Sequence, residues 1–254
     1  MGAWRIGIWA AAVVASLPAA VAATSQAPRA RLNALELAPW PTIAASASSP
    51  KPKRLYRVAA MGDSLTDPRS HGGKYLEYLA EKCPKSVFDS YGVGGNMCNQ
   101  MRKRFARDVL GEGADPPKAP YSHVLILGGI NDICSDESAS RTNDRIKADL
   151  TAMYKMSRDH GMQIIALTLP PWGGFARYYN KRRARSTFDL NEWIKKQPET
   201  GTVDRAVDIF PVLSCGNPEE LCEPYSFPDR VHWSKKGHEI VGKLLHERVF
   251  ADCL

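Results

Sequence analysis

From residue 54 onward, short apolar runs alternate with segments of helical periodicity, and few folds accept that order. The runs are "LYRVAAM" (55–61), "SVFDSYGV" (86–93), "HVLILGG" (123–129), "MQIIALTL" (162–169) and a short piece near 206–210. Between them lie a helix near 72–83, with Tyr75, Leu76 and Leu79 on one face, and another over about 96–110. A third, over about 140–159, shows Ile146, Leu150, Met153 and Tyr154 and is closed by Gly161. A fourth is expected near 187–197, and a last one over about 235–250 carries Ile240, Val241, Leu244, Leu245 and Val249. Strands that are apolar without alternation are buried on both faces. The expected fold class is therefore α/β, with a central parallel sheet between helices. The 254 residues suffice for one sizeable domain, and residues 54–254 supply it. No internal repeat is present.

The N-terminus is different. Arg5 is followed by an apolar run from Ile6 to Ala23 that ends in Ala20-Val21-Ala22. This is the layout of a secretory signal peptide over 1–23, cut after Ala22 or Ala23. A retained membrane anchor is the competing reading, and Pro18 and the small residues favour cleavage. Residues 24–53, rich in Ala, Ser and Pro, read as a flexible leader or linker. No other stretch is long and uncharged enough to span a membrane. The expected location is secreted or periplasmic.

The formal net charge is +7, and removal of 1–23 takes away only Arg5, leaving +6. For an exported protein this balance points to an anionic polymer or membrane surface rather than nucleic acid, or simply to solubility. Six cysteines fit an oxidising compartment. They form no Cys-x-x-Cys pair and no zinc-finger spacing, so no structural metal is expected. Spacing alone leaves all of the roughly fifteen possible pairings open.

Active sites of parallel sheets lie beyond the carboxyl ends of the strands. Gly62-Asp63-Ser64 follows the first run, Gly92-Val93-Gly94-Gly95-Asn96 the second, and Gly128-Gly129-Ile130-Asn131-Asp132 the third. "PDRVHWSKKGH" precedes the last helix, with Asp229 three residues before His232. Ser64 can attack a carbonyl if a base takes its proton. His232 can be that base, and Asp229 can fix its tautomer. The backbone N–H groups of Ser64 and Gly95 and the side-chain amide of Asn131 can receive an oxyanion. Glycine at 95 permits positive φ and close approach of substrate.

Taken in order, Ser64 in "GDSL", Gly95 in "GVGGN", Asn131 in "GGIND" and His232 in "DRVH" resemble the SGNH hydrolases, or GDSL family, over residues 58–238. The resemblance implies a flavodoxin-like three-layer α/β/α fold. It also implies esterase, lipase, thioesterase or carbohydrate-deacetylase chemistry without metal or cofactor. Gly95 is preferred to Gly92 or Gly94 because family members usually carry a polar residue next, and Asn96 stands there. Thr at 66 breaks the G-x-S-x-G elbow of the α/β-hydrolase fold. If Gly95 and Asn131 share one oxyanion hole, Cys98 and Cys134, each three residues on, are brought near each other. A bridge between them would stabilise by roughly 4 kcal/mol in the chain-entropy model. Cys215 and Cys222 flank a short loop, which leaves Cys83 to pair with Cys253.

Trp172, after Pro170-Pro171, is placed at the active edge, where it can stack a sugar or hold an acyl chain, or else pack inward. Asp63 is expected to fix the turn, Asp132 to cap or anchor, and His238 and Trp233 to be structural. His71 and His123 have no evident partner. "RYYNKRRAR" (177–185) holds five basic residues in nine and reads as a solvated face or as a contact for an anionic polymer. The expected reaction is ester hydrolysis through an acyl-enzyme on short acyl groups of a glycan or cell-wall polysaccharide. A lipase or lysophospholipase, another glycan- or peptidoglycan-active enzyme, and a binding protein that only keeps the fold are the alternatives. A binding protein would lack a member of the triad, and none is missing.

Overall fold

A computed structural model describes residues 52–254. The expected signal peptide, and all but the last two residues of the expected leader, lie outside the described residues. Five parallel strands form one sheet: β1 (Arg57–Gly62), β2 (Val87–Gly92), β3 (His123–Leu127), β4 (Gln163–Leu167) and β5 (Arg205–Val207). Their spatial order is β2-β1-β3-β4-β5, the flavodoxin-like order. The last pairs of the register place Gly62 beside both Gly92 and Leu127. The three loops that carry Ser64, Gly95 and Asn131 therefore leave the sheet side by side, at the switch point between β1 and β3.

The main helices are α1 (Lys74–Lys82), α2 (Cys98–Phe105), α4 (Asn143–Asp159), α5 (Lys181–Lys196) and α7 (Lys235–Leu245). Two one-turn helices, α3 (Ile130–Cys134) and α6 (Phe210–Ser214), complete the set. Helix α1 packs on α7, and α2 and α5 pack on α4, which gives one helical layer to each face of the sheet. The apolar runs fill the middle: Val58–Met61, Val124–Leu127 and Ile164–Leu167 are all buried. Among the described residues, no helix is long and apolar enough to cross a membrane.

Two of the boundary differences from expectation change the reading of a segment. Helix α5 begins six residues early, because the Asn180 side chain accepts the Arg183 N–H and caps it. Much of the basic run 177–185 is thus its first turn. The expected strand near 206–210 stops at Val207, and the chain turns into α6 at Phe210.

Two disulfides are present, Cys83–Cys253 and Cys215–Cys222. The expected Cys98–Cys134 bridge is absent, and both thiols are free. Cys98 is buried at the start of α2 beneath Gly128, with its thiol directed at Asp132, while Cys134 ends α3 on the cleft. Burial pushes both thiols up, Cys134 to about 12, so neither is poised to react as a thiolate. Alkylation of the unfolded, unreduced protein should therefore label Cys98 and Cys134 alone, and peptide mapping that finds them joined would contradict the structure.

Candidate active site

The serine turn is built by Asp63 and by the strand-end glycine Gly92. The Asp63 backbone carbonyl accepts the N–H groups of Thr66 and Asp67, and its carboxylate accepts that of Leu65 at 3.0 Å. A Cβ on Gly92 would stand 2.2 Å from the Asp67 nitrogen, so the turn can lie against β2 only because residue 92 is glycine. Asp67 then binds the neighbouring loop. Its Oδ2 accepts the Gly94 N–H at 2.9 Å, and its Oδ1 accepts Arg69 Nε–H at 2.9 Å. Burial pushes the Asp67 carboxyl up, but these donors outweigh it and hold it below the usual range. Asp67 was not among the sequence candidates, and only the turn-forming Asp-Pro dipeptide marks it.

Ser64 Oγ lies 2.8 Å from His232 Nε2, and His232 Nδ1 lies 2.7 Å from Asp229 Oδ2. The carboxylate is an acceptor only, so Nδ1 carries the proton and Nε2 is free to accept from Ser64. Asp229 Oδ1 also accepts the N–H groups of Val231 and His232, each at 3.0 Å. Partial burial raises the Asp229 carboxyl, but these bonds prevail and keep it below its ordinary value.

Gly95 adopts φ 75°, and among the described residues no group accepts a hydrogen bond from its N–H or from that of Ser64. Asn131, at the start of α3, donates Nδ2–H to the Asn96 carbonyl at 3.1 Å and to Asp63 Oδ2 at 3.3 Å. Arg104 supports this loop by donating to Asn96 Oδ1 and to the Gly62 carbonyl. Asp132 is buried. It accepts from the Cys98 N–H at 2.8 Å and from Arg141 Nε–H at 2.6 Å, and Arg141 reaches on to Asp149. Asp132 is therefore the anchor that the sequence suggested, tying α3 to α2.

These groups line a cleft of roughly 910 Å³ at the carboxyl edge of the sheet, with Leu65, Ile130, Phe175, Phe227 and Val231 as its apolar walls. Another groove, of roughly 580 Å³, opens at the opposite edge among Tyr56, His123, Asp204 and Arg248, and no serine or cysteine lines it. Among the described residues, the grouping with metal-ligand spacing is Cys83, His246 and Cys253, and two of these are joined as a disulfide.

Trp172 is a correction. It does not line the cleft but is fully buried, with its Nε1–H donated to Thr187 Oγ1 at 2.9 Å and its ring edge-on to Tyr179. The indole satisfies its polar handle inside the core, and Phe175 takes the place at the wall. Trp172→Phe should lower stability by about 1–2 kcal/mol. It should leave KM unchanged, and a raised KM at unchanged stability would return Trp172 to the substrate. His238 is structural as expected. It is buried against Tyr75 and Trp233, and burial pushes its imidazole down to about 3. Within the basic run, Arg182 and Arg183 are paired with Asp136 and do not reach into the cleft.

A serine, a histidine and an aspartate bonded in series above the switch point of a doubly wound sheet, beside free backbone donors, are the parts of an acyl-transfer hydrolase. The chain belongs to the GDSL-like lipase/acylhydrolase family, whose model matches residues 60–240. Solved structures agree on the fold. A GDSL-like lipase from Bacteroides thetaiotaomicron superposes with a TM-score of 0.62 at 20% identity, over 77% of this chain and 88% of that one. A lipase/acylhydrolase from Enterococcus faecalis gives 0.60 at 16% identity, over 78% and 96%. An acetyl xylan esterase gives 0.60 at 19% identity, over 76% and 99%. No curated protein matches the sequence.

Proposed function

We propose that this acylhydrolase is exported and cleaves carboxylic esters through an acyl-enzyme on Ser64, with short acyl groups on a glycan as its substrates. The observation behind this reading is the hydrogen-bonded series Ser64–His232–Asp229, at 2.8 and 2.7 Å, set beside N–H groups of Ser64 and Gly95 that are unengaged among the described residues.

Ser64 Oγ attacks the ester carbonyl carbon as its proton passes to His232 Nε2. The negative charge that gathers on the carbonyl oxygen is received by the N–H groups of Ser64 and Gly95 and by Asn131 Nδ2. Asp229 accepts Nδ1–H and steadies the imidazolium. The intermediate collapses, the C–O bond to the alcohol breaks, and His232 returns its proton to the departing oxygen. Water then gives a proton to His232 and attacks the acyl carbon. The acid leaves, and Ser64 recovers its proton.

The layout of residues 1–23 and the two disulfides support export, because bridges persist in oxidising compartments. The net positive charge and the likeness to an acetyl xylan esterase motivate the glycan. A lipase reading is favoured by one observation, the apolar walls of the cleft. p-Nitrophenyl esters from acetate to palmitate, run beside acetylated xylan, separate the two. The expected result is a rate that falls steeply beyond acetate, with acetate released from the xylan. Highest kcat/KM on the long esters and no release from xylan would replace the deacetylase with the lipase.

A further inference from the structure

Asp63 is a fully buried carboxylate with no cationic partner among the described residues. Its neighbour in the core, Asp132, is paired with Arg141. An ionised carboxylate buried in this way is expensive and is kept where it does something. Beyond its own backbone N–H, the side chain has two hydrogen-bond partners among the described residues: the Leu65 N–H, which any acceptor could serve, and the amide of Asn131.

We infer that Asp63 is a positioning residue, which holds the Asn131 amide with Nδ2 rather than Oδ1 toward the developing oxyanion. The inference rests on the reading of Asn131 as an oxyanion donor. A side-chain amide is nearly symmetric in shape, so only its neighbours decide which end faces where. Here both neighbours of Nδ2, Asp63 Oδ2 and the Asn96 carbonyl, are acceptors. A flipped amide would set Oδ1 against both. The Asn96 carbonyl also places Nδ2 next to the Gly95–Asn96 segment, where an oxyanion bound to the Gly95 N–H would lie. The contact to Asp63, at 3.3 Å, is the longer of the two and the one that an oxyanion can share.

Protonated Asp63 would lose this control. It would present an O–H donor that welcomes Oδ1, and one of the two barriers to the flip would vanish. Burial raises the Asp63 carboxyl to about 6; the Leu65 bond and His232 oppose the rise, while Asp132 adds to it. Tyr75 from α1, Cys98 from α2 and Cys134 from α3 also face it, and burial keeps all three neutral across this range. The active form needs Asp63 ionised, a requirement that falls on the acid limb of the pH–rate profile.

A double-mutant cycle tests the inference on the hydrolysis of p-nitrophenyl acetate. Asn131→Ala should lower kcat by about 10²- to 10³-fold. Asp63→Asn should lower kcat on the order of 10- to 100-fold, with KM little changed. In the Asn131→Ala background, Asp63→Asn should cost nothing further, to within about twofold. An equal loss in both backgrounds would overturn the inference and leave the oxyanion reading intact. An Asn131→Ala enzyme with undiminished kcat would remove the oxyanion reading itself. The profile of the unmodified enzyme gives a check that needs no Asp63 variant. On the acid side, log kcat/KM of the unmodified enzyme should show an extra fall, bounded at about 10- to 100-fold, that Asn131→Ala lacks. Acid limbs of the same shape in both enzymes would overturn the inference.

Discussion

Ser64→Ala is expected to lower ester hydrolysis by about 10⁶-fold, the loss seen when a serine hydrolase is deprived of its nucleophile alone. The side chain is half-buried in the cleft, and its one hydrogen bond among the described residues is to His232, so the fold should keep its stability. His232→Ala should reach nearly the same floor, because the three residues act as a unit. Asp229→Asn should cost about 10⁴-fold, the neutral amide favouring the wrong imidazole tautomer. A fluorophosphonate probe gives a second readout. The unmodified enzyme should gain one adduct at Ser64, and the Ser64→Ala enzyme none. Turnover surviving in Ser64→Ala at more than about a hundredth of the original rate would mean another nucleophile and would end the proposed mechanism.

The largest effect on stability is expected behind the cleft, at Arg141. Arg141 is almost wholly buried and binds two carboxylates, Asp132 and Asp149. Arg141→Ala leaves Asp132 without a counter-charge in the core, while Asp149 keeps Arg102 at the surface. Removing one partner of a buried ion pair costs about 3–5 kcal/mol. Urea unfolding should register this as a lower midpoint at similar slope. The pH dependence has a definite sign. Burial already raises the Asp132 carboxyl despite its bonds to Cys98 and Arg141, and without the guanidinium it rises further. A carboxyl whose pKa is higher folded than unfolded loses stability as pH rises between the two values. The deficit of Arg141→Ala should therefore be full at neutral pH and shrink in acid. A deficit under about 1 kcal/mol at neutral pH, or one that widens in acid, would show that the pair does not hold α3 to α2.

Chemistry attached to strand ends was legible in the sequence, because strand ends are marked by local signals. Apolar runs stopped by glycine placed Ser64, Gly95 and Asn131, and the parallel order followed from the alternation. Asp229 and His232 were legible from their spacing just ahead of the last helix. What could not be read was the direction of side chains that leave such ends. Trp172 follows Leu169-Pro170-Pro171 at the active edge, yet its indole turns inward because Thr187, on a helix fifteen residues later, offers the acceptor. Cys98 and Cys134 stand at equal offsets from two adjacent residues, but each begins or ends a different helix, and offsets carry no information about facing. Arg141 had no mark at all, since its partners at 132 and 149 are set by the packing of α2, α3 and α4.

The two ends of the domain are joined at one corner. Arg54 forms a parallel bridge with Cys253, its N–H donates to the Asp252 carbonyl at 2.8 Å, and Leu254 N–H returns a bond to Arg54 at 2.9 Å. The Cys83–Cys253 disulfide pins the same corner to α1. Entry and exit thus share one knot, and the whole of β1, about 20 Å of strand, separates it from the serine. A surface or carrier protein joined at either end would grip the domain by its base and leave the mouth pointing outward. The same closeness makes Leu254 and Arg54 natural points for splicing, so that a permuted chain could open elsewhere without disturbing the cleft.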